Sequence, residues 1–353
     1  MKRLKRNKSN KLSDQIKEHS KKKVKRKPEY DGDTGTVIST GSTLLDLAIS
    51  GGRVRGGGIP LGILVEIFGP SSTGKTVLLS EIGGDVQRKG GEVMFLDPEA
   101  RLNKQFARIF DLDTSEMTYE CPDTVVEVFE SVRDWGGEKD KKKCEFKAVM
   151  TDSLAALSTD AEMTDKDGMG MKRAKDFSVE CRKTCRVLTK KNMLMVCSNQ
   201  IRQKHNAGPF EEKYTTPGGE AVGFYASLRL RTSKPRKIKD KKKIGSKDVS
   251  VVVGTETLVE VYKSSVWKPY RTANVILSQD YGVDDIRANL QFIKDMTKQK
   301  QYTVNEEEIG KAIYDAITYV EENNLEEDLK NEVINLWEEI ELKFKVERKP
   351  KAR

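Results

Sequence analysis

Glu66-Ile67-Phe68-Gly69-Pro70-Ser71-Ser72-Thr73-Gly74-Lys75-Thr76 runs an apolar segment into a glycine-rich turn, and its reading decides the fold. The stretch fits G-x-x-x-x-G-K-S/T, in which successive backbone N–H groups wrap the phosphates of a nucleotide. Leu61 to Phe68 predicts a buried strand before the turn, and Val77 to Ile82 a helix after it. That strand–turn–helix context is what the motif requires. Gly69 and Gly74 allow the backbone angles of a turn around an anion. Lys75 reaches the outer phosphates, and Thr76 offers a hydroxyl to Mg²⁺.

Outward from the turn, short apolar strands alternate with helical patterns. Gly91 to Asp97, Cys144 to Ser153 and Met193 to Gln200 read as buried strands, with helices at Asp123 to Trp135 and Arg173 to Leu188 between them. This alternation predicts an α/β fold, a P-loop ATPase core whose mainly parallel sheet is flanked by helices, with its active edge at the strands' C-terminal ends. The core begins after Thr36, where Ser42 caps a helix over Leu44 to Ile49. Later strands are expected at Ala226 to Arg231, Ser250 to Val253 and Thr257 to Tyr262, with Lys234 to Lys247 as an exposed, mobile loop. Ile286 to Phe344 reads as helical and acidic in its middle at Glu306 to Glu308. The organisation expected is a basic arm at 1–35, a core at 36–283 and a small C-terminal domain with a basic tail at 284–353.

A chain of 353 residues with 36% hydrophobic content supports one large domain with appendages. Its net charge of +9 favours polyanionic partners. The arm, with Lys21 to Lys27, suits either DNA contact or docking on a neighbouring subunit, or simply solvation. Five cysteines without a second pair beside Cys181 and Cys185 read as free thiols of a reducing cytoplasm. Two histidines are too few for a histidine metal centre or a Ser-His-Asp relay. With no apolar run of about 20 residues and no hydrophobic region after the basic N-terminus, a soluble, cytoplasmic protein without a signal peptide is expected.

Nucleotide hydrolysis needs an acid on the metal's water shell and a base to orient the attacking water. Asp152 follows its strand in place for the first. Glu99, presented past Asp97 by Pro98, suits the second. Gln200 ends a further strand and opens a loop, so it is placed to sense the γ-phosphate and move that loop. Two polar, glycine-rich segments follow these strands, Met163 to Gly170 and Ile201 to Gly219. The second mixes Arg202, Lys204 and His205 with Phe210 and Tyr214, a pattern suited to a stretched nucleic-acid strand.

Those residues carry a resemblance. Ile38-Ser39-Thr40-Gly41-Ser42, Gly69 to Thr76, Phe95 to Glu99, Asp152 to Leu157, Asn199 to Arg202, Thr215 to Gly219 and Val253 to Thr257 resemble the RecA family of bacterial DNA recombinases, from about Val37 to Gly282. The resemblance implies a helical homo-oligomeric filament on single-stranded DNA, pairing it with double-stranded DNA, with ATP and Mg²⁺ between subunits and with single-strand-binding or mediator proteins as further partners. It implies that Glu99 activates water, that Asp152 supports the metal and that Gln200 couples the γ-phosphate to the second DNA loop. Phe106 would stack on adenine beside Asn103. Met169 and Gly170, with Arg173 and Arg182 nearby, would serve the first DNA loop; Ile201, Arg202, Lys204, Phe210, Gly218 and Gly219 would line the second. Lys263 would reach the phosphates of the neighbouring subunit's ATP.

The chain departs from the pattern at two places. Ser71 stands where bacterial members carry Glu, and Ser265 where they carry a second Lys, so the contact to ATP across the interface is expected either to be weaker or to be supplied by Lys268. Lys345 to Arg353 replaces an acidic tail, so less restraint on duplex binding is expected. On its Lys-rich composition the chain reads as a phage or viral copy. Two other functions share the ATPase core: a hexameric helicase or motor, and an ATP- and DNA-binding scaffold without strand exchange. A motor calls for an arginine finger and a docking domain, neither of which the sequence displays, and a scaffold for the loss of Glu99.

Overall fold

The computed structural model describes residues 35–102, 112–137, 146–159, 169–203, 214–218 and 220–348. In chain order its elements are β1 (Val37–Ile38), α1 (Thr43–Ser50), β2 (Ile59–Pro60), β3 (Leu64–Gly69), α2 (Lys75–Arg88), β4 (Glu92–Leu96), β5 (Met117–Glu120), α3 (Val125–Gly137) and β6 (Lys147–Thr151). They continue with α4 (Met169–Lys191), β7 (Leu194–Gln200), β8 (Arg202–Gln203), β9 (Tyr214–Thr215), α5 (Glu220–Tyr225), β10 (Leu228–Thr232), β11 (Arg236–Ile244) and β12 (Lys247–Ser264). Last come β13 (Thr272–Ser278), β14 (Gly282–Val283), α6 (Asp285–Thr297), β15 (Tyr302–Val304), β16 (Glu307–Gly310), α7 (Ile313–Glu322) and α8 (Glu326–Lys343).

Ten strands form the central sheet in the order β14-β13-β12-β10-β3-β7-β6-β4-β5, with β11 paired to β12. From β10 to β5 every pair is parallel, and from β12 to β14 the pairs are antiparallel. Alternate residues of the parallel strands feed opposite faces, as a pleated strand dictates. Val65, Ile67, Val93, Phe95, Ala148, Met150, Leu194 and Val196 pack on one side against α1, α2 and the C-terminal helices. Leu64, Met94, Leu96, Val149, Met195 and Cys197 pack on the other against Val128 and Phe129 of α3 and Phe177 and Cys181 of α4. Burial on both faces explains why these strands read as continuous apolar runs. The adjacency of β3, β7, β6 and β4 sets Gly69, Gln200, Thr151 and Leu96 along one edge, and each is followed by a candidate polar residue or loop.

Three sequence expectations are corrected. The Lys234 to Lys247 stretch is not a loop: β11 pairs with β12 from Arg236↔Glu256 to Ile244↔Lys247, around Gly245 at φ 64°. A two-residue turn with a residue in the left-handed region matches the twist of a hairpin, and it overrides the weak strand propensity of lysine. The strands expected at Ser250–Val253 and Thr257–Tyr262 are one strand, β12, passing through Gly254. A Cβ on Gly254 would lie 2.5 Å from the Leu277 carbonyl oxygen, so the glycine belongs to close strand packing and not to a break. Glu306 to Glu308 are not helical. Asn305 and Glu306, at φ 52° and 69°, turn β15 into β16. The capped helix after Ser42 forms as expected, with the Ser42 hydroxyl accepting from Leu45 N at 3.4 Å.

Candidate nucleotide and DNA site

The turn after β3 is built as a phosphate cradle. Gly74 sits at φ 84° and opens α2 without any side-chain cap, which leaves the helix's first amides to a ligand. Its shape is braced from behind: the Thr73 hydroxyl lies 2.8 Å from that of Thr232 on β10, and Thr257 on β12 donates to the Thr73 carbonyl at 3.5 Å. Lys75 is buried and folds its ammonium over the turn, donating to Pro70 O at 2.6 Å and Gly69 O at 3.4 Å. Burial pushes its pKa down while Asp152 opposes that shift. A partly desolvated cation folded over a turn with uncapped helix amides is suited to a polyphosphate.

Beside it, the Thr76 hydroxyl donates to Asp152 Oδ2, and the Ser198 hydroxyl to Asp152 Oδ1. Hydroxyl and carboxylate oxygens are the hard donors that Mg²⁺ prefers. Among the described residues, no group of three or more His, Cys, Asp or Glu could hold a metal.

Glu99 follows β4 on a turn fixed by Asp97, whose Oδ2 accepts from Leu102 N at 2.7 Å and from the Tyr119 hydroxyl at 2.9 Å. The Glu99 carboxylate pairs with Arg101 at 3.0 Å. Arg101 is 76% exposed, so the pair is weak and readily given up. Gln200 closes β7, and its Oε1 accepts from the Ser71 hydroxyl at 3.4 Å. One residue on, Ile201 N donates to Gly69 O at 3.2 Å. The segment read as the second DNA loop is therefore bonded to the phosphate turn where it begins.

That segment's described ends form a small ladder, Arg202↔Thr215 and Gln203↔Tyr214. Gly218 is buried at φ 90° against Phe177. Met169 and Gly170 open α4. Farther along that helix Arg173 donates to Ala155 O at 3.1 Å and Arg182 is exposed. Asn103, Phe106, Lys204, Phe210 and Gly219 lie outside the described residues. Lys263 stands on β12, two strands from β3 beyond β10, and donates at 2.8 Å to the carbonyls of both Gly223 and Phe224 at the end of α5. Burial lowers its pKa, with Arg229 adding to the effect. Lys268 is engaged by Glu341 of α8 at 3.5 Å.

The fold thus gathers Lys75, the bonded pair Thr76–Asp152 and the bonded pair Ser71–Gln200 around the phosphate turn, sets Glu99 on the same sheet edge and places Lys263 apart from them. Sequence reading missed Ser198, Tyr119, Arg101 and the buried carboxylate of Glu66. Glu66 carried a signal: a charge inside an otherwise apolar strand must find a partner.

Residues 8–284 match the RecA N-terminal domain family. The chain is 32% identical over 304 residues to Protein RecA of Colwellia psychrerythraea, covering 83% of this chain and 82% of that relative. No helix among the described residues is long and apolar enough to cross a membrane.

Proposed function

The chain belongs to the RecA family of recombinases, which are DNA-dependent ATPases, and from that premise we propose that it couples ATP hydrolysis to a filament on single-stranded DNA through the residues gathered at the sheet edge. ATP is held by Gly69 to Thr76, with Lys75 on its outer phosphates. Thr76 and Asp152 are the residues that would hold Mg²⁺, which would supply charge neutralisation for the phosphates. Glu99 leaves Arg101 and takes a proton from the water that attacks the γ-phosphorus. The bond to the ADP oxygen breaks, and phosphate leaves. Gln200 responds to the γ-phosphate, and the segment from Ile201 follows because Gln200 and Ile201 are consecutive. DNA runs along that segment and the start of α4, and Lys263 acts on the nucleotide of the next subunit.

One observation carries this reading: Ser71 to Gln200 and Gly69 to Ile201 link the phosphate turn to the first residues of the DNA segment by hydrogen bonds. The test is Glu99→Gln. Filaments on single-stranded DNA should persist with an ATP analogue in electron micrographs, while turnover drops by about 10²- to 10⁴-fold, the usual worth of a general base. Parent protein should also invade homologous duplex in a D-loop assay. Normal hydrolysis by the variant would mean the base is elsewhere, and closed rings without strand invasion would point to a motor.

A further inference from the structure

Glu66 lies in the middle of β3 with no exposed surface, and its carboxylate is divided between the two neighbouring strands. On one side Asn199 of β7 donates to Oε1 at 2.9 Å; on the other Arg229 of β10 donates to Oε2 at 2.6 Å. Asn199 is itself fully buried and has two further bonds: its Nδ2 also reaches Pro217 O at 3.2 Å, and its Oδ1 accepts from Gln200 N at 3.0 Å. A single side chain thus holds both ends of the 201–217 segment and rests on Glu66.

The other half of the row points toward Lys263. Glu66, Arg229 and Lys263 are direct partners in register across β3, β10 and β12. The Arg229 guanidinium is stacked at 4.4 Å over Phe68 and at 5.4 Å over Tyr262. It also abuts α5, where a Cβ on Gly223 would lie 2.9 Å from Nη1. Gly223 O is one of the two carbonyls that hold the Lys263 ammonium. A displacement of Pro217 or Gln200 therefore has a continuous path through Asn199, Glu66 and Arg229 to the group that positions Lys263.

Stability alone does not account for such a row. Replacing a buried ion pair by apolar residues of similar volume is often neutral or stabilising, so the sheet could be built more cheaply without it. We propose that Glu66, Asn199 and Arg229 are positioning residues that transmit the state of the 201–217 segment to Lys263, so that DNA on one part of a subunit sets the ATP contact it offers its neighbour. This rests on the function proposed above for that segment and for Lys263.

The test compares Glu66→Gln with the double variant Glu66→Gln/Arg229→Met, which removes both charges and so avoids an unpaired guanidinium. ATP hydrolysis is read with and without single-stranded DNA, beside thermal melting. In each folded variant the stimulation by DNA should fall at least tenfold while DNA-free turnover stays within twofold of the parent. Stimulation retained in a folded variant overturns the relay, and so does an equal loss of DNA-free turnover, which would place the effect in the ATP site itself. If neither variant folds, hydrogen exchange on the parent decides. Single-stranded DNA should alter protection at 223–225 together with 214–216, and unchanged amides at 223–225 overturn the proposal. A parent without any DNA stimulation would sink the functional reading first, and the relay with it.

Discussion

Replacing Gly218 by Ala should separate the segment proposed to carry DNA from the core, and the size of the effect follows from two costs. Gly218 has φ 90°, where an L side chain costs about 1–2 kcal/mol. A Cβ there would lie 2.9 Å from Phe177 Cδ2. Phe177 is fully buried and stands edge-on to Phe129 with centroids 6.2 Å apart, so the ring cannot move without disturbing α3, and overpacking of this kind costs about 1–3 kcal/mol more. Gly90 supplies the control: at φ 78° it has nothing within 4 Å, so Gly90→Ala carries the backbone cost alone. A combined cost of about 2–5 kcal/mol, at about 1.4 kcal/mol per tenfold, moves the docking equilibrium of the segment's end by about 30-fold to several thousand-fold. Denaturant melts of both variants and hydrolysis titrated with single-stranded DNA read the outcome. Gly218→Ala should lose at least tenfold in DNA stimulation, and Gly90→Ala should keep it. Equal melts with retained stimulation would refute the reasoning, since Phe177 would then be yielding freely.

Other expectations follow from the same contacts. Asp46 is buried and accepts from Ser39 Oγ at 2.5 Å and from Thr40 N and Oγ1 at 2.8 Å each; burial outweighs these bonds and pushes its carboxyl up to about 7 from 3.8. The folded state therefore binds the proton more tightly, so this contribution to stability is full below pH 3.8 and is lost as pH rises through about 7. Asp46→Asn should flatten the fall in melting temperature between acidic and neutral pH, and an unchanged pH slope would show that another group sets it. Lys263→Met should abolish DNA-stimulated hydrolysis, yet mixing it with Glu99→Gln should restore activity, because about one quarter of the interfaces in a random head-to-tail assembly then combine an intact Glu99 with an intact Lys263. A mixture no more active than its parts would place Lys263 at its own subunit's nucleotide.

How far the sequence was legible depended on where the information lay. Leu64 to Gly69 and Leu194 to Gln200 were readable because burial on both faces leaves a continuous apolar run, and the phosphate turn because its glycines and Lys75 have few substitutes. Asp152 and Gln200 were readable as polar residues that end such runs. The β11 strand was hidden because seven of its nine residues are charged and its identity comes from pairing with β12, a partner that local composition does not reveal. The β15–β16 turn was hidden behind a run of Glu whose backbone needs positive φ only at Asn305 and Glu306. The bonds of Glu66 were out of reach for another reason: Asn199 and Arg229 are 133 and 163 residues away, and only sheet order makes them neighbours.

The long ribbon of β11 and β12 has a consequence for how the protein keeps company with itself. Beyond Val253, whose carbonyl accepts from Gln279 N at 3.0 Å just past β13, the backbones of the two strands pair with each other in the described ladder. Both outer edges thus display free backbone donors and acceptors, an open invitation to a strand from another copy. Lys239, Lys241, Lys242 and Lys243 line one of them, so two such ribbons repel before they can zip together. In a family whose members form filaments, lysines so placed oppose a second route, by which crowded neighbours would otherwise knit into sheets.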